Sequence, residues 1–502
     1  MTEVSDFFRG RSVFITGGTG YVGKAVVEKL LRSCPTIGTI FLLIRPKKGL
    51  NPQERLIHLF TCPIFGPLLE ARPDVISKVV PVLGDLMQPE LGISVNVQTE
   101  LQQKVSVVIH SGATVRFSDS MKTCTQINVS GTKCVIQLAA NWPLVKAVVH
   151  VSTAFCPFPQ ETIEEKIYDV PIEPERLMQC AEWMSEEQLD CVTASICSDW
   201  PNPYSYTKNT AEVLVKQYKD QLPLVIVRPS IVICTKDEPL DGFCDTFVGV
   251  GGIMFGGAVG IVRTMPGIKE QALDIIPLDM VVNSIILAAY NVARNPSTDV
   301  KVYNVVSSAR NPINYDVLEK NARRDLIHDA PFDNAMWYPL MYYQTSRLQF
   351  RLIRFLLHSL PAFLFDLWFG ITGKPFRLGD IYDKLHLNMD AVWHFMLRDF
   401  DFKDANLRDL IATCSPEIRK VYACDVDQID WSSLCRSYNL GARKYLLKQD
   451  PSTIPAARRR MKRLFIAHCA FKLIMFLVFM RILYSMTLGL MSSHDYITAN
   501  FF

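Results

Sequence analysis

A glycine-rich loop between an apolar run and a helical stretch near the N-terminus constrains the fold of this chain most strongly. Residues 11–16 (RSVFIT) have the composition of a short buried strand, GGTGYVG follows, and residues 24–32 have a helical pattern. Gly17 is expected to permit the tight turn, Gly20 the approach of backbone to a pyrophosphate, and Gly23 close helix packing. The spacing is GxxGxxG instead of GxGxxG, and glycine loops also occur in ordinary turns. Other features of the sequence are needed to distinguish a dinucleotide-binding loop from an ordinary turn.

Further apolar runs recur along the chain with helical spacers between them. Continuous apolar strands that alternate with helices are typical of a parallel sheet buried on both faces. The fold class is therefore predicted as α/β, a Rossmann-type doubly wound parallel sheet, with residues 304–308 as its final strand. With the first strand, the runs make about six strands: residues 39–44, 79–83, 105–110, 146–151 and 224–228.

The end of the second predicted strand indicates which dinucleotide is bound. It lies about 20 residues after the glycine loop, where a dinucleotide fold places the residue that reads the adenosine ribose. NAD-binding chains usually have Asp or Glu there, whereas this chain has Arg45, followed by Lys47 and Lys48. These cations can pair with a 2′-phosphate, so NADPH is predicted in preference to NADH. An ordinary basic surface turn is the alternative.

Short polar turns follow three of the other predicted strands. Ligands of open α/β sheets bind at the carboxyl ends of the strands, so these turns are predicted to line the site. They are Gly84-Asp85-Leu86, Ser111-Gly112-Ala113-Thr114 and Ser152-Thr153-Ala154.

Tyr204 and Lys208 are one helical turn apart, which puts a phenol and an ammonium on the same helix face. Of 17 tyrosines, only Tyr204 has a lysine four residues later. We expect Lys208 to lower the pKa of this phenol, and Tyr204 to protonate an oxygen that receives a hydride. An exposed helical pair without such a role has the same spacing. Tyr206 lies two positions from Lys208 and therefore on another face.

Thr153 precedes this pair in the order of a Ser/Thr, Tyr, Lys triad. It is predicted to hydrogen-bond a substrate carbonyl, while Lys208 holds the phenolate and the nicotinamide ribose. Ser152 is the rival hydroxyl. A Ser-Thr turn at a strand end is also a common local cap.

These segments resemble the fatty acyl-CoA reductases, which are extended short-chain dehydrogenase/reductases. The resemblance rests on FITGGTGYVGKAVVEKLLR, FLLIRPKKG, INVSGT, HVSTAF and YSYTK, and it continues in IPLDMVVN (276–283), DQIDW (427–431) and GARKYLLK (441–448). It implies reduction of a long-chain fatty acyl-CoA to a primary fatty alcohol by NADPH, through an aldehyde, with release of CoA and without an acyl-enzyme. It also implies a catalytic triad of Thr153, Tyr204 and Lys208. The cofactor-binding residues that it implies are Gly17, Thr19, Gly20, Tyr21, Val22, Gly23, Arg45, Asp85, Leu86, Thr114, Lys208, Pro229 and Ser230.

Two positions depart from the family pattern. Phe155-Cys156 stands where the family often has Tyr-Cys, and residues 241–260 lack the Trp-containing form of that loop. The second difference leaves the acyl-chain preference open. The glycines of this stretch are typical of a mobile lid or tunnel wall and equally of a plain loop; they include Gly249, Gly251, Gly252, Gly256, Gly257 and Gly260.

The resemblance implies four segments. Residues 1–310 form the NADPH-binding Rossmann reductase domain, 311–350 a connector, 351–455 the helical C-terminal domain, and 456–502 a basic cluster with a hydrophobic tail. The insert at residues 157–203 carries no motif and is expected to be irregular.

The tail predicts attachment to an intracellular membrane. A basic cluster at residues 458–463 precedes residues 464–491, whose only fixed charges are Lys472 and Arg481. This stretch is long enough to span a bilayer, but its two charges leave a hairpin, an interfacial helix and a snorkelling helix open. The basic cluster favours the cytosolic side for the catalytic domain. Residues 355–371 are expected to build the C-terminal domain or its membrane-facing surface, and the resemblance implies a peroxisomal membrane first and the endoplasmic reticulum second.

Composition bears on metal binding, cellular compartment and nucleic-acid binding. The 14 cysteines and nine histidines are dispersed without metal-ligand spacing, so no metal is predicted, and reduced thiols fit a cytosol-facing enzyme. A net charge of +3 predicts no nucleic-acid partner. Another extended reductase or epimerase, and a non-catalytic membrane scaffold, remain as alternatives. The oligomeric state stays open.

Overall fold

Fifteen strands occur in the described part of the computed structural model, which comprises residues 2–247, 250–373 and 377–501. Seven of them form one parallel sheet, and the others pair two by two outside it. In chain order the strands are β1 Ser12–Thr16, β2 Ile40–Ile44, β3 Val79–Leu83, β4 Val105–His110, β5 Ala147–Val151, β6 Thr162–Ile163, β7 Leu224–Pro229, β8 Ile231–Ile233, β9 Thr264–Pro266, β10 Ala272–Leu273, β11 Ile275–Pro277, β12 Lys301–Val305, β13 Ile313–Asn314, β14 Tyr342–Gln344 and β15 Asp401–Phe402.

Helices cover both faces of the sheet and make up most of the C-terminal part. In chain order the α-helices are α1 Glu3–Phe8, α2 Tyr21–Ser33, α3 Pro52–Phe60, α4 Gly66–Ala71, α5 Val95–Lys104, α6 Met121–Cys124, α7 Gly131–Ala140, α8 Pro174–Trp183, α9 Glu186–Cys197, α10 Pro203–Gln217, α11 Val250–Ala258, α12 Leu278–Arg294, α13 Tyr315–His328, α14 Arg347–Arg354, α15 Leu360–Ile371, α16 Leu378–Met396, α17 Ala405–Thr413, α18 Pro416–Val421, α19 Trp431–Gly441 and α20 Ile454–Phe501.

The main sheet has the strand order β12-β7-β5-β4-β1-β2-β3. β1 pairs in parallel with β2 on one side and with β4 on the other, so the connections run in opposite directions from this strand. Loops at the carboxyl ends of β1 and β4 therefore diverge and leave a crevice between them. Apolar clusters fill both faces, with α2 and α12 on one face and α5 and α7 on the other. The predicted doubly wound fold is confirmed.

Two local expectations are wrong. The last main strand is Lys301–Val305, three residues before the predicted start, because Val302, Tyr303 and Val305 are the residues that pack against β7. The insert at residues 157–203 is not irregular, since it contains α8 and α9.

Residues 250–258 of the glycine-rich stretch form the short helix α11, which differs from a plain loop but not from a tunnel wall. Gly249 lies outside the described residues. A Cβ added at Gly256 would lie 2.5 Å from a methyl of Val262, so the glycines allow this helix to pack closely.

Two family motifs join the C-terminal helices to the sheet. Arg310, just after β12, donates to Asp404, Asp425 and Asp427, and Trp431 donates its indole N–H to the side chain of Asn311 at 2.9 Å. A Cβ added at Gly441 would lie 1.7 Å from the carbonyl oxygen of Gly242. The motifs DQIDW and GARKYLLK therefore make contacts between parts of the chain that are distant in sequence.

Two helical segments in the described residues are long and apolar enough to cross a membrane: Arg347–Ile371 and Pro451–Leu488. Little of either is buried, at 11% and 6% of the most apolar window. The tail α20 is one continuous helix, which is inconsistent with the hairpin alternative.

Candidate active site

A cavity of about 770 Å³ opens at the carboxyl ends of the main strands. It brings together the predicted catalytic residues Thr153, Tyr204 and Lys208 and all but one of the predicted cofactor-binding residues. The cofactor-binding set in its lining is Gly17, Thr19, Gly20, Tyr21, Val22, Gly23, Arg45, Asp85, Leu86, Thr114, Lys208, Pro229 and Ser230. Ser152 and Lys47 also line it, whereas Lys48 is absent from the lining.

The glycine loop holds the start of α2 against the cavity. Gly17 has φ +72°, and a Cβ added at Gly23 would lie 2.2 Å from the carbonyl oxygen of Gly17. The helix begins after Gly20 without any side-chain cap, so its first N–H groups are available to an anion. The hydroxyl of Tyr21 instead donates to the carbonyl oxygen of Ile233 at 2.8 Å. The loop fits a pyrophosphate held by backbone N–H groups.

Positive charge is concentrated at the end of the cavity next to β2. Lys47 has its pKa lowered by desolvation and by the neighbouring cations Arg45, Arg55, Arg116 and Lys48. Arg55 on α3 donates to the carbonyl oxygen of Arg45 and to the hydroxyl of Thr19 at 3.2 Å. The sequence analysis missed Arg55, although its place one turn into the helix after the Arg45 loop is a usable signal. The residues present fit a phosphorylated ribose.

The turn that carries Thr153 lies away from the basic end of the cavity. Thr153 is buried after β5, and its hydroxyl lies close enough to the Tyr204 phenol to lower the pKa of that phenol. Burial raises the pKa of Tyr204 well above its ordinary value, and Thr153 opposes this only in part. The expectation that Lys208 lowers this pKa is wrong for this structure. A phenol with a raised pKa keeps its proton at neutral pH, which suits a proton donor.

Lys208 is buried, and its ammonium donates to the carbonyl oxygen of Val151 at 2.8 Å. Burial lowers the pKa of Lys208 to about 8, although Cys156 and Glu212 favour the charged form. The amine is therefore mainly protonated at neutral pH and loses its charge in mildly alkaline solution.

An ion pair that the sequence analysis missed supports the catalytic helix α10. Arg228 on β7 and Glu212 are both fully buried, and Arg228 Nε donates to Glu212 Oε1 at 2.9 Å. Glu212 continues the four-residue spacing of Tyr204 and Lys208, which is the signal that would have identified it. The thiol of Cys156 donates to Glu212 Oε1 at 3.1 Å, and burial raises the pKa of this thiol. A protonated buried thiol is a poor nucleophile.

Asn128 of the INVSGT motif connects two walls of the site. Its side-chain oxygen accepts from the backbone N–H of Thr114 at 3.0 Å, and its amide donates to the hydroxyl of Thr207 at 3.1 Å. Asn128 thereby positions α10 relative to the turn after β4. The sequence analysis quoted this motif but gave Asn128 no role.

Aromatic rings from the C-terminal part reach the substrate side of Tyr204. The ring of Phe117 lies 5.5 Å from the Tyr204 ring, and Phe395 on α16 stacks on Phe117 at 5.8 Å. Phe155, two residues after Thr153, contacts Phe395 at 5.9 Å. The rest of this aromatic cluster consists of Phe158, Phe400 and Phe402. Tyr206 faces away and packs on Trp200 at 5.4 Å, as expected from its helix position.

The chain matches known proteins over nearly its whole length. An NAD-binding family model described as male sterility protein matches residues 15–285, and a second model with the same description matches residues 357–449. Fatty acyl-CoA reductase 1 of Xenopus laevis is 34% identical over 92% of this chain and 90% of its own length. Fatty acyl-CoA reductase wat of Drosophila melanogaster is 35% identical over 92% and 89%. The terminal reductase domain of the myxalamid biosynthetic pathway, at 20% identity, has a similar fold with a TM-score of 0.58 over 87% of this chain and 91% of that one.

Replacing Arg228 by Leu should destabilise the protein by about 3–5 kcal/mol, because Glu212 is left charged and unpaired in the interior. Thermal unfolding of the purified protein in detergent measures this as a lower midpoint. Arg176→Leu is the control, since its partner Glu173 is 73% exposed and the midpoint should not change. Equal midpoints for the two variants would contradict a structural role for the buried pair.

The rate of reduction by the nicotinamide cofactor should fall as the pH rises through about 8, because Lys208 loses its positive charge in this pH range. The measurement is kcat/KM for the nicotinamide cofactor between neutral and alkaline pH, with thermal unfolding followed in parallel. Lys208→Arg retains a charge throughout this range and should lose the alkaline decline, whatever its absolute rate. If kcat/KM of Lys208→Arg declines at alkaline pH as in the wild type, the decline belongs to another titrating group.

Proposed function

The chain belongs to the fatty acyl-CoA reductase family, whose members are oxidoreductases, and we propose that it reduces a long-chain acyl-CoA to a primary alcohol with two NADPH. The first reduction releases CoA and leaves an aldehyde, and the second gives the alcohol. One observation carries the proposal: Thr153, Tyr204 and Lys208 line the same cavity as the glycine loop.

The chain's own residues would handle the carbonyl oxygen and its proton. When bound, the nicotinamide cofactor supplies hydride. Thr153 and Tyr204 donate hydrogen bonds to the thioester oxygen and stabilise the oxyanion that hydride addition creates. Collapse of this oxyanion expels CoA thiolate and leaves the aldehyde. In the second round, Tyr204 donates its proton to the aldehyde oxygen, and the ammonium of Lys208 stabilises the charge left on the phenol.

The preference for NADPH is supported by surplus positive charge at the ribose end. Arg45, Lys47, Arg55 and Arg116 all line the cavity, whose described lining contains two carboxylates, Asp85 at 3.4 Å from Arg45 and Asp119. Like charges gathered without enough carboxylates are stabilised by an anionic ligand. A 2′-phosphate supplies that anion, whereas the free hydroxyl of NADH does not.

A long acyl chain is supported by the aromatic cluster beside Tyr204. The rings of Phe117, Phe155 and Phe395 are each partly exposed, and that of Phe117 lies 5.5 Å from the Tyr204 ring. A thioester carbonyl at Tyr204 would place its first methylenes against these rings, where burial of each CH₂ is worth about 0.8 kcal/mol.

The remaining assignments concern organisation and location. We assign residues 1–310 to the reductase domain, 311–350 to the connector, 351–455 to the helical domain and 456–502 to the membrane tail. The exposed apolar helix α20 and the basic residues 458–463 at its start support attachment with the catalytic part in the cytosol. The peroxisomal membrane is the first choice and the endoplasmic reticulum the second.

Membranes that contain the protein should convert a series of acyl-CoAs with NADPH into the matching alcohols and free CoA. Tyr204→Phe should abolish product and leave NADPH binding intact, because only the proton donor is removed. Tyr206→Phe is the matched control, since its hydroxyl has no hydrogen-bond partner among the described atoms and should be dispensable. Aldehyde without alcohol would refute the four-electron reaction, and an active Tyr204→Phe would refute the proton donor.

Arg55→Ala should raise KM for NADPH about tenfold to a hundredfold, the effect of losing a charge-assisted hydrogen bond. KM for NADH should stay nearly unchanged, because that cofactor has no 2′-phosphate. Lys48→Ala is the control, since Lys48 belongs to the same basic run but does not line the cavity. Equal effects of Arg55→Ala on both cofactors would remove the support for NADPH specificity.

A further inference from the structure

Besides the tail, the segment Arg347–Ile371 exposes a large apolar surface. Eleven of its large apolar side chains are 38–78% exposed, far more than a soluble monomer shows in one helix. They are Leu348, Leu352, Phe355, Leu356, Leu360, Phe363, Leu364, Phe365, Leu367, Trp368 and Ile371. Some apolar environment has to cover this face.

Several polar side chains of the segment contact α16 or its first residues. Near its start, Arg354 donates to both carboxylate oxygens of Asp390, at 3.0 and 3.1 Å. Near its end, Asp366 accepts from the backbone N–H groups of Leu378 and Gly379 at the start of α16. One face of the segment is thus attached to the protein along its whole length.

The middle of the segment is attached as well. His358 is fully buried in the π-helical turn Phe355–Ser359, and its ring stacks on Tyr382 at 4.9 Å. His358 Nε2 accepts from the backbone N–H of Arg263 at 2.9 Å, and Nδ1 lies 3.3 Å from His386 Nε2. A helix held to the protein at its start, middle and end cannot cross a bilayer as an isolated span.

The tail leaves the protein at the same place. Trp337 donates to His468 on α20 at 3.1 Å and contacts the ring of Phe471 at 6.0 Å. The guanidinium of Arg263, whose backbone holds His358, lies 5.7 Å from the Trp337 ring. The tail and the apolar segment are therefore both attached to the protein around Arg263 and Trp337.

We propose that Arg347–Ile371 is a second, monotopic membrane contact, which lies in the plane of one leaflet with its apolar face in lipid and its polar face on α16. The choice of lipid as the occupant rests on the proposed membrane attachment of the tail. The exposed cation Arg351 near the N-terminal end fits an anionic headgroup region. The segment therefore resembles an interfacial helix, although its length alone would allow a span.

The test uses the full-length protein in vesicles of phosphatidylcholine with a minority of phosphatidylserine. A fluorescent amino acid replaces Leu352, Phe363 or Ile371, one at a time, and lipids with a quencher near the headgroup or near the chain end report depth. All three positions should be quenched alike and best by the shallow quencher. Trp183, which is 71% exposed on α8, is the control position and should not be quenched.

Each other result overturns the proposal. Leu352 and Ile371 are about 28 Å apart along a helix, so a span would give shallow quenching at both ends and deep quenching at Phe363. No quenching at any position means that a second copy or another protein covers this face.

A second variant separates this inference from the proposed reaction. Phe363→Glu combined with Leu364→Glu places two charges on the apolar face and should abolish quenching at Leu352. Acyl-CoA reduction in detergent micelles should remain at the wild-type rate, because both side chains are exposed and distant in sequence from the triad. If the wild-type protein does not reduce acyl-CoA, only the proposed reaction is refuted. If quenching at Leu352 persists in the double variant, only the proposed membrane contact is refuted.

Discussion

The buried ion pair between Arg228 and Glu212 is the contact on which the active site depends. Arg228 lies on a central strand and Glu212 on the helix that carries Tyr204 and Lys208. Arg228 also donates to the carbonyl oxygens of Glu164 and Lys166 in the insert, at 3.1 and 2.8 Å. Glu212 accepts a hydrogen bond from the thiol of Cys156, which follows the Thr153 turn. This ion pair therefore fixes the sheet, the catalytic helix, the catalytic turn and the insert relative to one another. Removal of either partner strongly destabilises the folded protein, because the other charge is left buried and unpaired.

Burial, more than the proximity of charges, sets the protonation of the triad. It raises the pKa of the Tyr204 phenol and lowers the pKa of the Lys208 ammonium, so two pKa values that are ordinarily close together are moved apart. Both groups still carry their protons at neutral pH. The buried imidazole of His110, whose pKa falls to about 3, stays neutral and leaves the Lys208 charge without a competing cation at that position. The site is thus prepared to give a proton to an oxyanion, which is the step that a reductase requires.

The sequence predicts the sheet and the cavity lining well because both depend on local patterns. Val, Ile and Leu runs specify buried strands, and turns at the ends of parallel strands must share one edge. What it misses depends on contacts between distant residues. The pKa of Tyr204 is raised because the fold buries its phenol. Arg55 reaches the ribose end of the cavity only because α3 places it next to Thr19. The glycines of residues 250–258 indicate a loop by composition, but close packing against Val262 makes a helix acceptable there.

Helix α16 connects the exposed apolar segment Arg347–Ile371 with the aromatic cluster beside Tyr204. Its first residues bind Asp366 on the exposed apolar segment, and Phe395 near its end belongs to the aromatic cluster beside Tyr204. At 1.5 Å per residue, the helix spans about 25 Å between these points. Under the proposed membrane contact, the reacting carbonyl would lie about one helix length from lipid, and an acyl chain at Tyr204 would need apolar cover over much of that distance. The aromatic cluster supplies this cover next to the triad, which explains why a C-terminal helix contributes to a site that is otherwise built from the Rossmann sheet.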